Sequence, residues 1–258
     1  MITCVLDGGI GNQMYMIAAT AAHAMRNDFN YGIPTQSRSP HRWPTYFFNF
    51  PQVNQDENMF VDWPREVIDY NNVLVGYQQI PVRDNLRLNE HFQSYKYYDD
   101  CKEKIFPLFG FNYELKKDVV SVHVRAADYK NYPDKHPIIK EEYLKEAILK
   151  NLVRGFKKFL CFSDDYEYAK PLIDRCVESL IGVTEIEIEW SHEPDPKKTI
   201  EIMSCCENNI CANSTLSLWA AEINPNKDKM IIIPKKWYGP GYSYISTGDM
   251  FRKEWIAI

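Results

Sequence analysis

Residues 119–129, Val-Val-Ser-Val-His-Val-Arg-Ala-Ala-Asp-Tyr, constrain the fold more than any other stretch of this chain. Val119, Val120, Val122 and Val124 make an extended segment apolar on both faces, the composition of a strand in the middle of a covered parallel sheet. Such sheets offer ligands a crevice beyond the carboxyl ends of their strands. This strand ends in an imidazole (His123), a guanidinium (Arg125) and a carboxylate (Asp128). Three polar groups delivered by an apolar strand argue for a site at its tip, weighed against a buried ion pair that merely ties the sheet together.

The rest of the carboxyl-terminal half fits the same architecture. A polar loop with His136 leads to a helix over 140–152 and a strand over 156–162 that runs out in Ser163-Asp164-Asp165. Another helix, an alternating strand over 184–190 and a helix opened by Pro196 and running to 206 come next. A strand over 209–212 ends in Asn213-Ser214-Thr215, before a helix over 216–223 and a last apolar strand over 229–233. The order β-α-β-α-β-α-β-α-β predicts a doubly wound parallel domain.

The amino-terminal half opens in a related way. An apolar strand over 2–6 meets Gly8-Gly9-Ile10-Gly11-Asn12-Gln13 and then an alanine-rich helix over 14–25. The G-x-G-x-x-G spacing fails because Met14 stands at the third glycine. Two readings stay open: a tight turn before a close-packed helix, or a loop where Asn12 and Gln13 meet an anion at the helix start. A short strand over 29–33 comes after the helix, and residues 99–117, charged and broken by Pro107 and Gly110, read as a link. The expected organisation is α/β with two Rossmann-like halves, 1–115 and 116–258, with the tail a candidate to pack back on the first half. Within the first half, His41, Trp43, Tyr46, Phe47, Phe48 and Phe50 lie among prolines that exclude a long helix. A hydrophobic cluster under a loop is preferred there to a sugar-stacking surface.

Composition narrows the function. The net charge of −5 excludes a broad basic field for nucleic acid, while leaving room for a local phosphate pocket. Seven scattered cysteines with no C-x-x-C pair read as small buried hydrophobes in a reducing compartment. With no basic, apolar leader and no run of about 18 apolar residues, the expected location is cytoplasmic, without a membrane span.

The polar clusters after three strands fall at equivalent places, so one crevice can collect them. Asn213-Ser214-Thr215 suits a helix cap and also a pyrophosphate cradle, with Ser214 capping while Thr215 and Ser217 face a ligand. Arg125 offers the two-pronged geometry that phosphate oxygens favour. No D-x-D occurs, and adjacent aspartates on an extended segment point apart. Metal-dependent sugar transfer is therefore disfavoured. One of Asp164 and Asp165 is expected to accept hydrogen bonds from a base or ribose, the other to cap the next helix.

Together these stretches resemble the α-1,2-fucosyltransferases of glycosyltransferase family 11. Gly8 to Met14 is similar to the family's G-G-L-G-N-Q-M/L, and His91 to Tyr98 to G-Y-x-Q-S-x-K-Y-F with His91 at the glycine. His123 to Tyr129 resembles H-V-R-R-G-D-Y, Phe162 to Asp165 matches F-S-D-D, and Asn213 to Ala221 resembles N-S-T-F-S-W-W-A-A. The resemblance implies a GT-B arrangement and inverting, metal-independent transfer of L-fucose from GDP-β-L-fucose to the 2-hydroxyl of a galactose. It needs no cofactor, and its partners are the nucleotide sugar and a glycan acceptor. It implies that Arg125 holds the β-phosphate, that His123 and Asp164 contact the guanine, and that Ser214 and Thr215 contact the pyrophosphate. It implies too that Asn12, within Gly11-Asn12-Gln13, reaches in from the other half. Candidate bases for the acceptor hydroxyl are His136, Asp128 and, behind them, Asp7. His136 is weighed against a solvated loop histidine, Asp128 against a group that only orients Arg125.

Ala126 and Ala127 stand where the family has Arg-Gly. A lost cation at the pyrophosphate forgoes a charge-assisted contact worth about 1.5–3 kcal/mol. Compensation by Lys130 or Lys135, a different nucleotide sugar, or an impaired nucleotide- or glycan-binding protein are the alternatives that this departure opens.

Overall fold

A computed structural model describes residues 1–35, 46, 48–53, 67–68, 76–180, 182 and 185–258. The chain forms two units, Met1–Phe111 with Tyr244–Arg252, and Asn112–Ser243 with Lys253–Ile258. No helix among the described residues is long and apolar enough to cross a membrane.

The first unit runs β1 (Ile2–Cys4), α1 (Ile10–Arg26), β2 (Ile33–Pro34), β3 (Gln52–Val53), β4 (Val67–Ile68), β5 (Leu86–Leu88) and α2 (Lys102–Ile105). Strands β1, β5 and β4 form a parallel sheet in that order. The helix α1 starts four residues earlier than the alanine pattern predicts, because Gly9 takes the extended N-cap conformation. Gly8 makes the preceding turn at φ +72°, a conformation that favours glycine, and a Cβ there would meet the Asn12 side chain. The strand predicted over 29–33 shrinks to a bridge from Tyr31 to Ile2, with β2 directly after it pairing with β3. Asp28 turns the chain at φ 55°, and Pro34 lacks an N–H to extend the ladder.

Residues 99–109 are a second correction. They form two 3-10 turns, Asp99–Cys101 and Phe106–Phe109, around α2, and bury Ile105 and Phe109 completely. Phe48 and Phe50 meet Phe109 edge-on at 4.9 and 5.0 Å, the hydrophobic cluster that the aromatic stretch predicted. His41, Trp43 and Phe47 of that stretch lie outside the described residues. The returning tail is held by Arg252, which donates to Asp99 at 2.6 Å and covers the Tyr95 ring at 4.4 Å. Asp249 adds contacts to Lys96 and to the Tyr77 N–H.

The second unit alternates as expected: β6 (Lys116–Val124), α3 (Glu141–Val153), β7 (Lys158–Ser163), α4 (Tyr166–Glu178), β8 (Glu187–Trp190), α5 (Pro196–Ser204), β9 (Cys206–Ile210), α6 (Thr215–Ile223) and β10 (Ile231–Ile233). A short β11 (Ile256–Ala257) joins β10 in parallel. The sheet is six-stranded in the order β11-β10-β9-β6-β7-β8. Val120, Val122 and Val124 of β6 are fully buried, as a central strand requires. They pack with Phe159 and Cys161 of β7, Leu144 and Ile148 of α3, and Leu172 and Ile173 of α4. Burying these apolar side chains, each worth about 1.5–3 kcal/mol, is what gathers the unit around β6.

Strand β9 begins at Cys206, three residues before the predicted 209, because Asn208, polar in sequence, is fully buried in it beside Asn209. Asn209 Nδ2 donates to Ser121 Oγ at 2.6 Å and to the Met203 carbonyl at 2.8 Å, and its Oδ1 accepts from Asn224 Nδ2 at 2.8 Å. All seven cysteines are free thiols, and six of them are buried.

Candidate functional site

The chain lays down β6, β7 and β8 in one direction, then returns to the other side of β6 for β9 and β10. The order therefore reverses between β6 and β9, where a doubly wound sheet opens its crevice. Their C-terminal ends deliver His123, Arg125 and Asp128 on one side and Asn213, Ser214 and Thr215 on the other. The adjacent end of β7 supplies Ser163, Asp164 and Asp165.

Arg125 is held by two carboxylates. Its Nη2 meets Asp128 Oδ1 at 2.7 Å and its Nη1 meets Asp164 Oδ2 at 2.8 Å. The remaining oxygen of Asp164 accepts from the Ala126 and Ala127 N–H groups at 2.8 and 3.3 Å. Both oxygens of Asp164 are thus engaged within the chain, and Arg125 is fixed while its side chain stays 23 % exposed. A guanidinium preset in this way loses little entropy on meeting an anion. Ala126 is fully buried, so the second-arginine position faces the interior and contributes its N–H instead. Lys130 pairs with Asp165 and covers the Tyr168 ring, and Lys135 covers the Tyr242 ring at 5.3 Å.

Two polar atoms at the ends of β6 and β9 are buried with no partner among the described residues, His123 Nδ1 and Asn213 Oδ1. An unmet buried group costs about 1–3 kcal/mol, so a pair of them on adjacent strands needs an explanation such as a ligand. Burial pushes the His123 imidazole down to about 4, Arg125 adding to and Asp164 opposing the shift, so it is neutral near pH 7. Asn213 is oriented by its own amide, which donates to the carbonyls of Pro137 at 2.8 Å and Trp237 at 3.0 Å.

Ser214 occupies the N-cap of α6 in extended conformation, and its hydroxyl makes no cap hydrogen bond. It does not cap in the way the sequence predicts. Ser217 also departs from expectation: it is fully buried, and its hydroxyl bonds to the carbonyls of Ala212 and Ser214. The helical geometry that puts Thr215 near the tip turns Ser217 to the sheet. Ser163 closes the turn after β7, accepting from the Asp165 N–H at 3.0 Å, and Asp165 caps α4 by accepting from Tyr168 N–H at 3.1 Å.

His136 is packed rather than solvated. Its ring stacks on Tyr129 at 4.8 Å and 21°, and meets Tyr242 edge-on at 5.4 Å and Tyr238 at 6.0 Å. Burial lowers its affinity for a proton, Arg125 and Lys135 lower it further, and Asp128 opposes them. Tyr238 and Tyr242 were not legible as site residues, being about a hundred positions away in sequence with no periodic signal to link them.

The loop bearing His136 is clamped by the turn after β10. Gly239 N–H donates to the Lys135 carbonyl at 2.9 Å, and a Cβ on Gly239 would lie 2.1 Å from the Asp134 oxygen. Gly239→Ala is expected to push the loop away at a cost of about 1–3 kcal/mol. Calorimetric unfolding should register a lower Tm, and an unchanged Tm would mean that the clamp is loose.

Gly11, Asn12 and Gln13 belong to the first unit. They lie in the first turn of α1 instead of preceding it. Gln13 is fully buried, donating to the Gly8 carbonyl at 3.0 Å and accepting from Tyr46 N–H at 3.2 Å, so it braces the glycine turn. Asn12 Oδ1 accepts from Gln93 Nε2 at 2.9 Å, and Asp7 Oδ1 accepts from Gly8 N–H at 2.7 Å.

Residues 89–258 match the model of glycosyl transferase family 11. The chain is 29% identical over 180 residues to the O-antigen biosynthesis glycosyltransferase WbnK of Escherichia coli, covering 62% of this chain and 58% of WbnK. The match thus spans a little over half of that relative's length. An α-1,2-colitosyltransferase of Escherichia coli is 24% identical, covering 100% of this chain and 99% of that protein. In fold, the fucosyltransferase NodZ from Bradyrhizobium is similar at a TM-score of 0.50 and 12% identity, covering 86% of this chain and 93% of NodZ. Arabidopsis thaliana FUT1 in complex with GDP is similar at 0.50 and 13% identity, covering 90% and 70%. These structures share the α/β architecture. With the family model covering the whole sheet unit and its strand-tip clusters, the chain belongs to glycosyl transferase family 11 and is a glycosyltransferase.

Proposed function

We propose that the enzyme transfers L-fucose from GDP-β-L-fucose, with inversion and without a metal, to the 2-hydroxyl of a galactose-type acceptor. The observation that carries this reading is Arg125, preset by Asp128 and Asp164 at the reversal point of the sheet and beside the start of α6. The two units are read as the halves of a GT-B enzyme, the second taking the donor and the first the acceptor.

In the reaction the bond from the sugar's anomeric carbon to the β-phosphate oxygen breaks, and one to the acceptor oxygen forms. Negative charge gathers on the leaving GDP, where Arg125 and the first N–H groups of α6 stabilise it. Ser214 and Thr215 add polar contacts to the pyrophosphate. Neutral His123 and the side-chain oxygen Oδ1 of Asn213 contact the nucleotide sugar, and Asp164 supports the nucleotide side while orienting Arg125. Neutral His136 accepts the acceptor's proton, and Asp128 keeps the guanidinium turned toward the phosphate.

A second reading keeps the fold and changes the sugar. It is favoured by the full-length similarity to a colitosyltransferase, which points to a donor carrying colitose. Calorimetric titration of the protein with GDP, UDP and ADP in EDTA tests both readings. Selective GDP binding is the expected result, to be extended by comparing GDP-linked fucose and colitose as donors. Preference for UDP would overturn the assignment of the nucleotide, and no binding would favour an impaired scaffold.

A further inference from the structure

Tyr129 closes the strand-tip motif, and its side chain touches three separate parts of the site. Its ring lies 5.5 Å from Arg125 Cζ and stacks on His136 at 4.8 Å. Its hydroxyl donates to the main-chain carbonyl of Asn213 at 2.8 Å, across 84 positions of chain. Burial raises the phenol well above its ordinary range, with Asp128 adding and Arg125 opposing, so it remains a neutral donor.

We propose that Tyr129 is a positioning residue that sets the orientations of Arg125 and His136 together and ties both to the turn opening α6. The proposal rests on the roles given to Arg125 and His136 above. The aromatic face presents electron density to the guanidinium, which limits its swing, while the stack limits rotation of the imidazole. The hydroxyl is the only one of these three contacts that reaches the Asn213 segment. A tyrosine that merely filled space would not need all three contacts. Facing that imidazole are the rings of Tyr129, Tyr238 and Tyr242, the carboxylate of Asp128, and the cations of Arg125 and Lys135.

Tyr129→Phe keeps the ring and removes the tie to Asn213, whereas Tyr129→Leu removes both. Each is made in the full chain, carbon-13 histidine labelling tracks the titration, and His136→Gln identifies the His136 signal. Wild-type His136 is expected to titrate below the free imidazole value of about 6.5, Tyr129→Phe to match it, and Tyr129→Leu to rise toward it. Sugar transfer should fall roughly three- to tenfold in kcat for Tyr129→Phe and about a hundredfold for Tyr129→Leu, with donor KM changed less than about threefold. Because the base must be neutral, the acid limb of the kcat profile should move up with the titration. An unmoved His136 titration in folded Tyr129→Leu, or a retained kcat, overturns the proposal. Tyr129→Met takes its place should the leucine variant fail to fold. Absence of sugar transfer in the wild type would instead sink the proposed function, and the titration would still decide the positioning role.

Discussion

On the proposed mechanism, Arg125→Ala is expected to lower kcat for sugar transfer by about a hundred- to a thousandfold, the usual cost of removing one preorganised donor from a site of developing charge. The guanidinium is set by Asp128 and Asp164, so it would not need to reorganise as the leaving GDP of the proposed reaction gains charge. Its loss should appear mainly in kcat, with a smaller decrease in GDP affinity, because charge on the leaving group is greatest in the transition state. The fold should persist. Asp164 keeps two backbone N–H donors, and Asp128 is half exposed, so neither carboxylate becomes a buried unpaired charge. Arg125→Lys should recover only part of the rate, since an ammonium cannot hold two carboxylates and a phosphate in one plane. Steady-state kinetics, GDP calorimetry and thermal unfolding check the three parts. Unchanged turnover in the alanine variant would remove Arg125 from the mechanism.

The second large effect is on stability. Asn209→Ala is expected to destabilise the protein by about 3–5 kcal/mol, because truncation strands several buried partners at once. Ser121 and Asn209 are fully buried, Asn224 is 4% exposed, and the side chain of Asn209 joins both to the Met203 carbonyl. Burial keeps these groups from exchanging the lost bonds for bulk solvent. At about 2–4 °C per kcal/mol for a domain of this size, Tm should fall by roughly 6–20 °C. Denaturant unfolding provides an independent check, and a loss below about 1 kcal/mol would show that the network relaxes around the gap. Since β9 leads directly into Asn213, donor binding should weaken in parallel well below the new Tm.

Residues 119–234 show how far local pattern reaches. The valines of β6 and the apolar runs of β7 and β10 marked their strands, since burial on both faces leaves a compositional trace. The same logic missed the start of β9, Cys206–Asn208, where Asn208 is buried through hydrogen bonds that only the folded chain supplies. It also took residues 99–117 for a link, and although the division between the units falls there, Ile105 and Phe109 at helical spacing were available to be buried. At the site, Arg125, Asp128, Asp164 and Asn213 were legible because they come directly after strands. Spacing alone left the division of labour between Asp164 and Asp165 open, because it depends on which carboxylate lies beside Arg125.

Local sequence was enough for the class of fold, the strands that carry the site and the family to which the chain belongs. Periodicity and motifs contiguous along the chain carry that information. Which strand ends are neighbours was settled only by folding in three dimensions. Folding placed β9 beside β6, left His123 and Asn213 with unmet buried atoms, and brought Tyr238 and Tyr242 around His136. Those arrangements rest on contacts between residues some ninety to a hundred positions apart. Such contacts come from packing around a shared core, which no local stretch encodes.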